Sequence, residues 1–454
     1  MAENTRDLTK GPVWQALALM SAPMVIGILA VLSVGLADAY FLGQLGGAPL
    51  AAVGFIYPVT AAVTSLSIGL SAGANALVSQ AIGAGDDDAK AARLAFHAVS
   101  IAVVLSLIGA AAFFFTFPPL FKLLGANEAV MAEIALFMPW WCASFPFLVL
   151  MMLVNAIFRS HGDSNVSATL MVISAVINVG LDPILIFGFG PIPQMGTEGA
   201  ALATFIARAS IAGVALAYAL HQSMLYLCAN PLKGLGQSAW RLAKIGGPAA
   251  FSNAINPAGM AAVTAAVATV GEAAVGGFGA ATRVQQIALV PMLALSSGIG
   301  PVIGQNWGAE QKDRAAQALQ AAFAFCLGYG VVVGLLLAVF AQQIASLLAS
   351  DPDAAGYAAT YMRIVGWSLF GYGFVVVANA AMNARDKAFW SMSLSLGRIF
   401  LIYLPGAWLG VTLLGFTGIT FAAFAANVVA AVAAVGAAYY TGLLRPNALR
   451  QTFS

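Results

Sequence analysis

The chain is divided into twelve long apolar segments, and its basic residues alternate in the loops that connect them. Of the nineteen Lys and Arg residues, fourteen lie in one alternate set of loops, whereas the other set contains only Lys122. The fourteen are Arg6, Lys10, Lys90, Arg93, Arg159, Lys233, Arg241, Lys244, Lys312, Arg314, Arg385, Lys387, Arg445 and Arg450. Because basic residues concentrate in cytosolic loops, the pattern predicts a multi-pass inner-membrane protein with both termini in the cytosol.

The composition excludes several classes of soluble protein. The chain is 61% hydrophobic and 8% charged, whereas a soluble domain has roughly 25% charged residues. A net charge of +2 argues against a nucleic-acid partner. The three cysteines, Cys142, Cys228 and Cys326, are too dispersed to indicate a disulfide framework or a metal cluster. We therefore expect neither an enzyme active site nor a bound cofactor.

The apolar segments have the lengths of membrane-spanning helices, since a crossing needs about 20 apolar residues. The predicted spans are 14–43, 51–81, 94–117, 133–158, 166–189, 198–221, 240–267, 275–305, 316–346, 358–384, 390–413 and 416–442. A polar stretch over 223–239 follows the sixth span. It predicts a cytosolic linker between an N-terminal lobe, 1–222, and a C-terminal lobe, 240–454.

The two lobes are repeats of each other. A shift of 225 residues aligns Pro23 with Pro248, Gly46 with Gly271, Gly54 with Gly279, Gly73 with Gly298, Gln80 with Gln305 and Gly83 with Gly308. A shift of 219 aligns Gly196 with Gly415 and Gly199 with Gly418. Six spans per lobe give both lobes one orientation. The expected fold is all-α, with two six-helix bundles related by a pseudo-two-fold axis along the membrane normal, as in transporters.

Two acidic residues break the repeat. Asp38 lies in the first span, and its counterpart in the second lobe is Val263. Asp182 lies in the fifth span, and the matching region of the second lobe has no acid. An ionisable group inside the hydrocarbon region is costly and marks an ion or substrate path. The N-terminal lobe is therefore predicted to hold a cation-coupling site.

Two neutral residues extend this predicted site. Asn178 is one helical turn before Asp182 and lies on the same helix face. Helix geometry places Asp38, Asp182 and Thr204 at similar depths, roughly 8–12 Å from the outer ends of their spans. Two carboxylates, an amide and a hydroxyl suit sodium. The same carboxylates would instead share a proton, because two adjacent negative charges are unfavourable in a low-dielectric layer. Both sodium and the proton therefore remain candidates for the coupling ion.

Other residues are candidates for movement and for substrate contact. Pro23 and Pro183 interrupt helical hydrogen bonding and would let the first and fifth spans bend. Met151, in a Met-rich patch, suits an adaptable apolar cavity. Asn155 repeats as Asn379 under a shift of 224. Arg398 falls opposite Asn178 under a shift of 220, which would replace an acidic region with a cation, although a structural arginine is an equal alternative.

The chain resembles the multidrug and toxic compound extrusion (MATE) transporters from about residue 13 to 440. The resemblance rests on the twelve spans, on Pro23 and Asp38, and on the Gly83-Ala84 and Gly308-Ala309 turns. It also rests on Asn155-Ala156-Ile157-Phe158-Arg159-Ser160-His161-Gly162-Asp163. The chain is most similar to the DinF-like branch, whose cation residues match Asp38, Asn178, Asp182 and Thr204. A second cation site in the C-terminal lobe is in doubt, because the seventh span has no carboxylate.

The resemblance implies a monomeric antiporter that exports amphipathic, often cationic drugs by alternating access, in exchange for protons or sodium. Two alternatives remain. A flippase for lipid-linked precursors would require a strongly basic cavity, which the few buried arginines do not clearly supply. A passive channel or scaffold would not need a pair of carboxylates in one lobe only.

Overall fold

The protein is helical throughout the described part of the chain, which in this computed structural model comprises residues 7–85, 88–225 and 232–444. One isolated β-bridge, between Phe189 and Ile192, occurs within these ranges. Arg6, Cys228, Arg445 and Arg450 lie outside the described residues, as does the central part of the predicted linker. The all-α fold expected from the sequence is confirmed.

The first half contains six long helices, one for each predicted span. They are α1 (Val13–Leu45), α2 (Gly47–Gly83), α3 (Asp88–Leu123), α4 (Glu128–Ser160), α5 (Ser164–Phe187) and α6 (Thr197–His221). The ends of each helix lie within a few residues of the ends of the corresponding predicted span. Asn127 and Asp163 cap α4 and α5 by accepting hydrogen bonds from the backbone N–H groups of Val130 and Val166.

The second half has the same six spans, but three of them are interrupted. Its helices are α7 (Leu235–Ala268), α8 (Glu272–Ala288), α9 (Val290–Gly308), α10 (Lys312–Leu348), α11 (Pro352–Val365), α12 (Leu369–Asn383), α13 (Ala388–Leu396), α14 (Leu404–Leu414) and α15 (Phe416–Tyr440). The predicted span 275–305 bends by 43° at Leu289, between α8 and α9. A 3₁₀ turn joins α11 to α12. A π-helical segment, Gly397–Tyr403, joins α13 to α14.

Ten helical spans of the described chain are long and apolar enough to cross a membrane, or eleven if α8 and α9 form one bent span. Helix α7 is outside this set. Its 34 residues are long enough, but they include Arg241, Lys244 and several polar and small side chains. Large apolar residues such as Leu107, Ile108 and Leu335 remain exposed, as expected for helix faces in lipid. The chain is a multi-pass membrane protein.

The chain forms two compact units whose boundaries fall at the two equivalent prolines. Unit 1 contains Pro23–Gly247, and unit 2 contains Leu8–Ala22 and Pro248–Ser454. The N-terminal part of α1 thus belongs to unit 2, and the N-terminal part of α7 belongs to unit 1. The lobe boundaries predicted from the sequence assign both segments differently.

Matching glutamines hold these two segments. In unit 2, the backbone N–H of Leu8 donates to Oε1 of Gln305 at 3.0 Å. In unit 1, Arg241 donates to Oε1 of Gln80 at 3.1 Å. Each unit has its own hydrophobic core, and each core includes apolar residues of the segment, such as Met20 in unit 2 and Leu242 in unit 1. The segments are therefore integral parts of the units in which they pack.

The turns confirm the internal repeat. Gly196 before α6 has φ 57° and ψ −130°, and Gly415 before α15 has φ 60° and ψ −141°. Both backbones adopt a positive φ that favours glycine. A Cβ on Gly199 would overlap the carbonyl of Leu185, and one on Gly418 would overlap Gly410. The fifth and sixth spans of each half therefore cross at equally close range.

Candidate cation and anion sites

The four residues predicted to couple a cation lie in one cluster within unit 1. Asp38 is on α1, Asn178 and Asp182 are on α5, and Thr204 is on α6. Asn178 Nδ2 donates a hydrogen bond to Thr204 Oγ1 at 3.2 Å. Asp38 and Asp182 are adjacent and interact directly. The structure thus brings together side chains from three helices of unit 1.

The oxygen atoms of this cluster are largely unpartnered. Asp182 is fully buried, and Asn178 is 3% exposed. Within the described residues, no N–H or hydroxyl donor reaches Oδ1 of Asp38, either carboxyl oxygen of Asp182 or Oδ1 of Asn178. Unpartnered oxygens buried at a carboxylate pair require a proton or a cation to offset their desolvation. This donor set fits a hard cation such as sodium, and it equally fits a shared proton.

Sequence reasoning did not include Arg208 in this cluster. Its Nη1 donates to Ser144 Oγ on α4 at 2.8 Å, and its charge interacts with Asp38. Arg208 follows Thr204 by one turn of α6, so the same periodicity that grouped Asn178 with Asp182 would have found it. The cluster is therefore a carboxylate pair with a cationic neighbour.

The two prolines predicted to bend helices lie next to Asp182 and at the boundary between the units. Pro183 directly follows Asp182, and Pro23 marks the boundary between the two units. Helices α5 and α1 nevertheless continue through them. Their predicted role in bending remains a prediction.

The three residues predicted to line a substrate cavity belong to two different units. Met151 and Asn155 lie one turn apart on α4 in unit 1 and are 8% and 3% exposed. Met151 packs in the hydrophobic core of unit 1. Arg398 belongs to the π-helical segment of unit 2. Contact of any of the three with a substrate remains a prediction.

Arg398 is bonded only to neutral groups. Its Nη1 donates to Oδ1 of Asn427 on α15 at 3.2 Å, and its Nη2 donates to Oδ1 of Asn256 on α7 at 2.6 Å. Its guanidinium carbon is 4.8 Å from the ring centroid of Tyr372. Arg398 is 9% exposed. No carboxylate of the described chain pairs with it. Among the residues that the structure describes, Arg398 is thus a buried positive charge without a counter-ion.

Two bundles of membrane-spanning helices, each with buried charge, are an architecture typical of transporters. The MatE family model matches the chain twice, over residues 23–184 and 248–409. The two matches are offset by 225 residues, the same shift found within the sequence. The chain belongs to the MatE family, the multidrug and toxic compound extrusion transporters, which confirms the expected family.

Relatives and solved structures match nearly the whole chain. It is 36% identical to the FAD transporter of Shewanella oneidensis over 426 residues, 92% of this chain and 93% of the relative. It is 27% identical to the probable multidrug resistance protein YoeA of Bacillus subtilis, over 89% of this chain and 88% of the relative. A crystal structure of the Vibrio cholerae MATE transporter VcmN superposes with a TM-score of 0.90 at 31% identity, covering 94% of this chain and 97% of that chain. The expected twelve-helix, two-lobe fold is confirmed.

Proposed function

We propose that the protein is a secondary antiporter that exports amphipathic organic compounds, including cationic drugs, in exchange for protons or sodium by alternating access. The observation that carries the proposal is the group of buried, unpartnered oxygens of Asp38, Asp182 and Asn178. Relatives named for multidrug resistance or multidrug export support the substrate class. The basic loops support a cytosolic location for both termini.

In the proposed cycle, a cation and the substrate compete through conformation. A cation that reaches the cluster from outside neutralises the carboxylate pair, and α1 and α5 rearrange near Pro23 and Pro183. This rearrangement weakens substrate binding. Linkage then requires the substrate to weaken cation binding by the same factor. Unchanged proton or sodium affinity at saturating substrate would contradict equilibrium antagonism.

We favour the proton as at least one competent driver. Two adjacent carboxylates in a low-dielectric layer would hold a shared proton. The oxygens of Asn178 and Thr204 would also coordinate sodium. Arg208 near Asp38 adds a positive charge to the site. This charge disfavours the binding of two cations at once, so we expect the site to bind one cation at a time, either a proton or a sodium ion.

The deciding experiment measures efflux from proteoliposomes containing the full chain, with the proton and sodium gradients imposed independently. Efflux of a cationic dye under a pure pH gradient, acid on the side from which protons enter, would support proton coupling. No efflux under that gradient, with recovery when sodium is added on the same side, would make the protein a sodium antiporter. Efflux that needs neither gradient would contradict antiport.

A second candidate substrate is FAD. The relative from Shewanella oneidensis that carries this name is 36% identical over nearly the full length of both chains. FAD combines an aromatic ring system with a negatively charged diphosphate, and the uncompensated charge of Arg398 favours such an anion over a cationic drug. Counterflow of FAD against dye in the same proteoliposomes separates the two candidates.

A further inference from the structure

We propose that unit 2 contains a recognition site for the phosphate group of an organic substrate, centred on Arg398 and completed by Asn256 and Asn427. The proposal rests on the transport function above and specifies one class of substrate. Asn256 comes from α7, Arg398 from the π-helical segment and Asn427 from α15. Three separate spans therefore converge on one guanidinium.

The charge balance of the cluster indicates a negatively charged ligand. A charged side chain within a membrane-spanning segment is energetically costly unless it is paired. Neutral amide oxygens offset part of that cost but leave the net charge in place. Within the described residues, the titratable side chains that interact with Arg398 are Tyr372, Tyr403 and Tyr361. An anion would complete the pairing.

The hydrogen-bond donors of the cluster are only partly used. Arg has five N–H donors in a planar fork, and Arg398 makes two hydrogen bonds within the described residues. Asn256 accepts from Arg398 through Oδ1, which leaves its Nδ2 group without a partner in the described chain. Asn427 is fixed from the other side, because its Nδ2 donates to Ser368 Oγ at 3.0 Å. The free donors match the oxygen-rich, multidentate geometry of a phosphate.

The backbone around Arg398 is built to present it. The π-helical segment Gly397–Tyr403 is a rare conformation that occurs frequently at functional sites. Helix α7 passes against this segment at Gly259, where a Cβ would overlap the side chain of Ile399. Because Asn256 lies one turn before Gly259, this close approach brings its amide to Arg398. Asn256 and Tyr372 are only partly buried, so the cluster is open on their side.

A test must separate recognition of an anion from a purely structural role. Asn256→Asp serves this purpose because it is isosteric and keeps the acceptor for Nη2 of Arg398. The new carboxylate cancels the positive charge and would exclude an anion, whereas a structural arginine would be held as well as before or better. Arg363→Gln is the matched control, since it changes the net charge by the same amount at an exposed position of α11.

The measurement is binding to purified full-length protein, with riboflavin and riboflavin 5′-phosphate as probes that differ by one phosphate. We expect the wild type to prefer the phosphorylated probe and Asn256→Asp to reduce that preference by about 10-fold or more, the effect of losing a hydrogen bond to a charged group. Arg363→Gln should retain the preference. Farnesyl diphosphate added as a competitor distinguishes a lipid-borne phosphate from a flavin phosphate as the natural ligand.

Two results would overturn the site. One is an equal loss of affinity for riboflavin and riboflavin 5′-phosphate in Asn256→Asp. The other is a wild type that binds riboflavin 5′-phosphate no more tightly than riboflavin and from which farnesyl diphosphate displaces neither flavin. Gradient-driven efflux of a cationic dye is measured in parallel. Its absence in the wild type would contradict the antiport proposal alone.

Discussion

The three spans that form the cation cluster in unit 1 have counterparts in unit 2 that bury an arginine and contain no carboxylate. Spans one, five and six supply Asp38, Asp182 and Thr204, whereas spans seven, eleven and twelve supply Asn256, Arg398 and Asn427. A shift of 219, which aligns the turn glycines, also aligns Arg208 with Asn427. Repeated helices have thus kept their positions while the charges they bury have diverged.

The backbones of the two regions show where this divergence was tolerated. The turns before α6 and α15 have nearly the same φ and ψ, because their glycines cannot be exchanged without strain. The fifth span is a continuous α-helix, whereas the eleventh contains a π-helical segment at the arginine. The differences between the two halves are concentrated at the charged positions, as expected if each lobe recognises a different ligand.

The largest expected effect comes from removing the carboxylates that exist in one half only. Asp38→Asn and Asp182→Asn should each reduce gradient-driven efflux by about 10-fold or more, since typical coupling free energies are about 1–3 kcal/mol. Both proteins should be expressed at wild-type levels, because a neutral amide is less costly in the membrane than a carboxylate. Val263→Ala, at the counterpart of Asp38, is the control. Normal efflux by both Asn variants would place coupling elsewhere.

The second-largest expected effect tests which ion, sodium or the proton, drives efflux. Thr204→Val removes one oxygen from the cluster and the acceptor for Asn178 Nδ2 without changing the size of the side chain. Sodium-driven efflux should fall by about 10-fold, whereas proton-driven efflux should change by about 2-fold or less, because a hydroxyl contributes about 1–1.5 kcal/mol. Initial rates under each gradient check this. Equal loss of both components would argue against Thr204 as an ion ligand.

A smaller effect tests whether the two halves depend equally on close helix crossing. Gly199→Ala and Gly418→Ala should each destabilise the protein by about 1–3 kcal/mol through overpacking. Melting temperatures in detergent provide the measurement. Gly213→Ala is the control, because its Cβ meets nothing within 4 Å. A large loss for only one of the first two variants would show that the crossings are not equivalent.

The smallest effect concerns a turn in which the halves differ by one residue. Glu310 has φ 59°, and its counterpart Gly85 has φ 66°. Glu310→Gly should stabilise the protein by about 0.5–1 kcal/mol, and Gly85→Glu should destabilise it by a similar amount, since side chains disfavour this conformation. Glu310→Ala retains the strain and should be nearly neutral. A melting temperature lowered by Glu310→Gly would contradict this explanation.

Hydropathy and glycine spacing predicted most of the fold. Twelve apolar segments, matched turns and the i, i+4 pair of Asn178 and Asp182 depend on local periodicity, which is legible in one sequence. The break at Leu289 and the π-helical segment depend on packing between distant helices, which local pattern does not encode. Arg208, one turn after Thr204, was within reach of local periodicity, whereas the contact between Asn427 and Arg398 depends on packing between distant helices.

The assignment of Leu8–Ala22 to unit 2 has a consequence for biosynthesis. This segment leaves the ribosome before unit 1, yet the hydrophobic core and the Gln305 that hold it are synthesised after unit 1. The first helix must therefore remain incompletely packed in the bilayer while almost three hundred further residues are inserted. In the same way, unit 1 closes only when the segment before Pro248 has been made. A chain cut in the linker would need both fragments in the same membrane, because neither encodes all of its own bundle.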